Sequence, residues 1–211
     1  MLNIAVLVSG GGTNLQALID AEKGGEIKNG KIALVVSSNT KAYALKRAEG
    51  AGIPAEILLR RGFAQQDAYD EALLALLNRY HIGLVVLAGF MTIISENVVS
   101  HYKNKIINIH PSLIPSFCGP GYFGLRVHEE ALRRGVKVTG ATVHFVNEVC
   151  DGGPIILQKA VAVQENDTPQ VLQRRVMEQA EWKLLPKAVS LFCENRLEVA
   201  DGKVKIKEEE K

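Results

Sequence analysis

The sequence predicts an α/β fold: a doubly wound, mostly parallel sheet flanked by helices. Three observations predict it. Continuous apolar runs of strand length recur at residues 3–8 (NIAVLV), 31–36 (KIALVV) and 84–88 (LVVLA), as strands covered on both faces require. Amphipathic helical stretches separate them, and a βαβαβαβ alternation with right-handed crossovers makes a parallel sheet. A triple glycine, Gly10-Gly11-Gly12, follows the first run directly, where folds of this class turn from strand into helix beside a ligand.

The elements follow in order. From Thr13 a helix carries Leu15, Leu18 and Ile19 on one side. Residues 41–51 read as a helix ended by Gly52 and Pro54, and 55–58 as a short strand. Residues 65–80 form a helix with Leu73, Leu74, Leu76 and Leu77 facing inward. A fifth strand at 106–109 (IINI) leads into His110-Pro111. Residues 111–124 hold three of the seven prolines and three glycines, which makes them an ordered loop. Residues 125–134 are helical. Residues 136–146 (VKVTGATVHFV) alternate as a half-exposed strand does, and 154–163 is a further strand. A long helix spans 169–194. Asp201-Gly202 between alternating apolar residues predicts a C-terminal β-hairpin over 197–206, and 208–211 is a charged tail.

With 211 residues the chain suits one α/β domain. That domain is expected over 1–207, with a phosphate-binding half at about 1–100 and a catalytic half at about 101–190. Apolar residues make 47% and charged residues 23%, and the net charge of +2 argues against a nucleic-acid partner. The pairs Arg60-Arg61, Arg133-Arg134 and Arg174-Arg175 read as solvated helix or loop faces. Cys118, Cys150 and Cys193 are widely spaced and form no CxxC pair, so neither a disulfide framework nor a metal site is indicated. There is no signal-peptide pattern and no apolar run long enough to span a membrane, so a cytoplasmic location is expected.

Residues 9–14 (SGGGTN) lie between a buried strand and a helix start, where backbone N–H groups and a positive dipole end suit a phosphate. A dinucleotide would want a small residue at Leu15 and an acid at the end of the second strand, which instead reads Ser37-Ser38-Asn39. A nicotinamide oxidoreductase is thus a competing reading with two features against it, and a ligand-free turn is another. The GxxxxGK[ST] pattern of nucleotide hydrolysis is absent.

Asn108 and His110 are two apart on the fifth strand and share a face. An amide beside an imidazole suits an oxyanion developing on a carbonyl carbon. Downstream, Asp151-Gly152-Gly153-Pro154 puts a carboxylate on a glycine loop; beside a histidine it would raise the imidazole pKa, and alone it could serve as a turn former. His144 and Thr142 are further candidates on the preceding strand. His81, His101 and His128 read as surface positions. No Gly-x-Ser-x-Gly elbow marks a nucleophilic serine.

In the stretches VLVSGGGTNLQALID (6–20), VVLAGFMTIIS (85–95), INIHPSLIPSF (107–117), GATVHFVNEVCDGGPIILQ (140–158) and AEWKLLP (180–186), the chain resembles the phosphoribosylglycinamide formyltransferase family across nearly its whole length. The resemblance implies formyl transfer from 10-formyltetrahydrofolate to the amine of 5-phosphoribosylglycinamide in purine synthesis, without metal and without a covalent enzyme intermediate. It implies Asn108, His110 and Asp151 as catalytic residues, with Asp151 keeping His110 charged. Gly12, Thr13 and Asn14 would hold the substrate phosphate and Glu181 its ribose hydroxyls. Met91, Thr92, Ile93 and Ile94, with Gln66, Asn108, His144 and the loop at 148–151, would hold the folate. The partners implied are small molecules, with a homodimer as the assembly to test. Three departures stand out: Gln66 and Thr92 replace basic residues common in the family, the loop after Pro115 (SFCGPGYFGLRVH) is longer by about five residues, and the helix before Trp182 is longer by one. A phosphosugar-binding domain that kept only the glycine loop is the non-catalytic alternative. Related methionyl-tRNA formyltransferases and formyltetrahydrofolate hydrolases carry an extra domain for which this chain is expected to have no room.

Overall fold

In the computed structural model, which describes residues 1–208, strands β1 (Leu2–Val8), β2 (Gly30–Ser37), β3 (Ala55–Ile57), β4 (Ile82–Leu87), β5 (Ile106–His110), β6 (Val138–Phe145) and β7 (Ile155–Ala162) form one sheet in the order β3-β2-β1-β4-β5-β6-β7. Pairings from β3 to β5 are parallel, and β6 and β7 join antiparallel. The doubly wound class therefore holds. Helices α1 (Thr13–Lys23) and α2 (Ala44–Gly50) cover one face of the sheet, and α3 (Gln66–Arg79) and α4 (Glu96–His101) the other. Helices α5 (Leu125–Arg133), α6 (Pro169–Val176) and α7 (Trp182–Cys193) complete the first face. Two apolar clusters result, each contributing about 1.5–3 kcal/mol for every large side chain fully buried. β8 (Leu197–Ala200) and β9 (Lys203–Ile206) make the C-terminal hairpin, with Asp201 and Gly202 both at positive φ as its two-residue turn demands. Of the predicted charged tail only Glu208 is described, and it is exposed; 209–211 lie outside the described residues.

Several expectations are corrected. α2 starts at Ala44 because the Asn39 side chain accepts the Lys41 N–H and holds that segment in a turn. β6 is buried along its length after Val138, not half-exposed. Helices cover one of its faces, and the segment after Pro111 covers the other: Thr142 Oγ1 donates to the Ser112 carbonyl and accepts the Ile114 N–H. The long helix expected at 169–194 contains a π-turn, Met177–Glu181, between α6 and α7. A π-turn is how a helix absorbs one extra residue without losing register beyond it. His128 is fully buried. Arg175 pairs with a buried Asp167, and Arg60 is half-buried against Gln66, so neither is a solvated face. His81 and His101 are exposed as read.

Candidate active site

In this strand order the chain winds outward from β1 and β4 in opposite directions, which opens a crevice at their carboxyl ends. The glycine turn lines one side of it and residues 88–95 the other. The two are joined there: Ser9 Oγ accepts the Met91 N–H at 2.8 Å and bonds Ser38 Oγ at 2.6 Å. Gly12 is the N-cap of α1 at φ 70, and a Cβ on it would sit 2.7 Å from Ala44 Cβ, so only glycine fits. Gly10 and Gly11 face open space. No side chain caps α1 and no acid lies in its first turn, so its first N–H groups keep their capacity for an anion.

The Asn14 side chain faces the interior. It is buried, its Nδ2 donates to Glu181 Oε2 at 2.7 Å, and its Oδ1 has no partner. The π-turn turns Glu181 inward to this bond. At 6% exposure with one bond, burial pushes the Glu181 carboxyl up to about 7, and Asn14 offsets that only in part.

Asn108, His110, His144 and Asp151 meet at the end of β5. The register of β5 with β6 sets Asn108 opposite His144 and His110 opposite Thr142. Asp151 comes in on the loop after β6 at φ 54. A Cβ on Gly153 would strike the Phe145 carbonyl, so the glycines let this loop pack onto the strand. The Asp151 carboxylate lies 3.5 Å from His110 Nδ1 and 3.4 Å from Asn108 Nδ2, and accepts the Gly119 N–H at 2.8 Å. His110 Nε2 donates to the Phe117 carbonyl at 2.8 Å. His144 Nδ1 donates to the Phe145 carbonyl, which leaves its Nε2 to accept from Asn108 at 3.1 Å. The amide of Asn108 is thus oriented by two acceptors.

Burial pushes Asp151 up, but His144, His110 and the Gly119 N–H together outweigh it and hold the carboxyl below the usual carboxylate range. His110 goes the other way from expectation. Burial lowers its pKa, and Asp151 and the Phe117 carbonyl pull it up by less. Asp151 thus acts on His110 in the expected direction, toward the charged form, and desolvation opposes it more strongly.

Other predicted residues are placed as follows. Met91 and Ile93 are exposed, at 51% and 84%, with Thr92 and Ile94 half-buried beside them; Val149 is also exposed. Gln66 has both ends of its amide occupied, accepting from Arg60 Nε and donating to Asp70 Oδ1, while Asp70 accepts from Ser95 Oγ. It braces the 88–95 loop from α3. Reading the sequence missed the Phe117 carbonyl and the Gly119 N–H, which reach the site from the loop after Pro115. The glycines at 119, 121 and 124, all at positive φ, were the available signal. Among the described residues no group of three or more His, Cys, Asp or Glu could hold a metal ion, and no helix is long and apolar enough to cross a membrane.

The formyl transferase family matches residues 2–189. The chain is 43% identical over 201 residues to a phosphoribosylglycinamide formyltransferase of Escherichia coli, covering 95% of this chain and 92% of that one. The crystal structure of glycinamide ribonucleotide transformylase 1 from Symbiobacterium toebii superposes with a TM-score of 0.92 at 43% identity, covering 99% of this chain and 95% of that one. A formyltetrahydrofolate deformylase from Pseudomonas syringae superposes at 0.88 with 27% identity, and this chain covers 66% of it. The fold, the crevice and these likenesses agree: the chain is an enzyme of the formyl transferase family, among the phosphoribosylglycinamide formyltransferases.

Proposed function

We propose that this enzyme moves the formyl group of 10-formyltetrahydrofolate to the amine of 5-phosphoribosylglycinamide. The observation that carries the reading is the meeting of Asn108, His110 and Asp151 beside the crevice onto which the glycine turn opens. The substrate phosphate sits on the free N–H groups of residues 12–14, and its ribose hydroxyls bond Glu181 and the unpartnered Asn14 Oδ1. The folate ring system lies against Met91 to Ile94 and the 148–151 loop, whose exposed apolar side chains suit a flat heterocycle. Gln66 supports the 88–95 loop through Asp70 and Ser95, and His144 orients Asn108. The reaction belongs to purine synthesis and takes place in the cytoplasm.

The amine lone pair forms a C–N bond to the formyl carbon and the carbonyl pair moves to oxygen. His110 Nε2–H turns from the Phe117 carbonyl to the oxyanion, and an Asn108 N–H joins it. Negative charge on that oxygen raises the proton affinity of the imidazole, so the proton that the attacking amine sheds is taken up by the Asp151–His110 pair, whose carboxylate and Nδ1 lie 3.5 Å apart. The same proton passes to N10 as the carbonyl re-forms and the bond from N10 to the formyl carbon breaks, which returns His110 to its starting state. Each oxyanion donor is worth about 10²–10³ in rate.

The purified enzyme given both substrates is expected to release formylated product and tetrahydrofolate in equal amounts. His110→Ala should lower kcat by at least about 10²-fold with KM values little changed. Release of formate without transfer would move the assignment to the deformylase relatives. Undiminished turnover by His110→Ala would remove the mechanism.

A further inference from the structure

The glycine turn carries no formal charge of its own. Residues 9–14 are neutral, and a helix N-terminus contributes about half an elementary charge against roughly −1.5 to −2 on a phosphate monoester. A nearby cation is needed to balance the rest, and Arg47 on α2 is built into the turn. Its Nε donates to the Gly11 carbonyl at 2.8 Å and a terminal nitrogen donates to Gln16 Oε1 at 3.0 Å. Its stem lies 3.3 Å from where a Cβ of Gly12 would stand, and its guanidinium sits 5.1 Å over the Tyr43 ring.

These contacts aim the guanidinium without neutralising it. Arg79, Arg133, Arg174, Arg175 and Arg196 each lie within ion-pair distance of a carboxylate, whereas among the described residues Arg47 has only neutral oxygens and a ring. A half-buried guanidinium held this way keeps N–H groups for an acceptor and an uncompensated charge that favours an anion. Arg47 and Thr13 stand at the glycine-turn end of a cavity of about 380 Å³ that continues past Gln16 and Trp182 to the carboxylates Asp20 and Glu26 at its far end, which leaves the Arg47 end as the one that suits an anion. Asn14, 8% exposed with its Oδ1 unpartnered, independently marks this end of α1 as a place for a ligand.

We infer that Arg47 is the phosphate-binding cation of the site: it pairs with a phosphate oxygen of the substrate and, through Gly11, holds the glycine turn open for it. This rests on the phosphorylated substrate proposed above. It makes Arg47 a specificity residue for the phosphate and leaves the chemistry at Asn108, His110 and Asp151 untouched.

The test compares wild type, Arg47→Met and Arg47→Lys on phosphoribosylglycinamide and on its dephosphorylated riboside, with inorganic phosphate binding measured by calorimetry. Arg47→Met should raise KM for the phosphorylated substrate by about 10–100-fold, as loss of a charge-assisted bond does, with kcat within about threefold. KM for the riboside should stay unchanged, and phosphate binding should be lost. Arg47→Lys should fall between, since an ammonium keeps the charge without the fork. Equal rises for both substrates would reduce Arg47 to a structural clamp and overturn the inference, as would phosphate binding that survives Arg47→Met. Arg47-dependent phosphate binding by an enzyme that transfers no formyl group would uphold this inference and overturn the proposed function; transfer with Arg47-independent phosphate binding would do the reverse.

Discussion

Glu181 shows how a single side chain couples stability to function. Its carboxyl titrates near 4.5 in the unfolded chain and near 7 in the fold, so the native state holds the proton more tightly. Between those values stability falls as pH rises, and above 7 the full cost is present. Glu181→Gln keeps the shape and an acceptor for Asn14 and removes the charge. Its melting temperature should exceed that of wild type at pH 8, by about 2–4 °C for each kcal/mol recovered, and match it near pH 4.5. The same variant should bind the phosphoribosyl substrate about tenfold or more weakly, because one carboxylate accepts two hydroxyls and an amide does not. Thermal melts at the two pH values, with KM determined at pH 8, check both halves. A variant that melts lower than wild type at pH 8 would contradict the assignment of burial as the dominant cause. Glu181 was legible in the sequence only through the resemblance of AEWKLLP; its bond to Asn14, 167 positions away, was not.

Among the elements, the strands were legible where they are apolar throughout, since β1, β2 and β4 leave no doubt about burial on both faces. β6 was not. Its Thr139, Thr142 and His144 are buried polar residues, and the bonds that satisfy Thr142 and His144 come from elsewhere in the fold or from the backbone. Thr139 Oγ1 is buried without a partner, so alternation in VTGATVHF does not report which residues face water. The π-turn gives a testable case at this scale. Gln179 is exposed within it, and deleting one residue there lets Met177–Glu181 close into regular α-helix while α7 keeps its register on the core. The deletion variant should melt within a few degrees of wild type yet bind the phosphoribosyl substrate at least tenfold more weakly, because Glu181 no longer meets Asn14. Circular dichroism melts and KM would decide it; unchanged KM would mean that the turn does not position Glu181.

For the molecule as a whole, buried histidines set the acid limit. His128 has no partner for either ring nitrogen, and burial, with His110 nearby, brings its pKa down from 6.5 to about 4; burial also lowers that of His110. Both bind a proton more readily in the unfolded chain, so their contribution is intact above 6.5 and is lost as pH falls below it. At pH 5 His128 alone should cost about 2 kcal/mol. His128→Leu, of similar size and with no nitrogens to satisfy, should equal or exceed wild type at pH 7 and lose much less stability at pH 5. Urea unfolding at the two values measures this directly, and equal acid losses in both proteins would rule it out.

The sequence by itself determined the sheet's parallel core, the turn at 10–12, the C-terminal hairpin and the pairing of Asn108 with His110 on one face. These depend on local periodicity and on residues close in the chain. Only the tertiary structure decided that Asp151 lies against both of them, that Glu181 faces Asn14, that Arg47 grips the glycine turn, and that burial lowers the pKa of His110. Each of those follows from desolvation or from contacts between segments far apart in sequence, and a local pattern carries no information about what will exclude water from a group once the chain has closed around it.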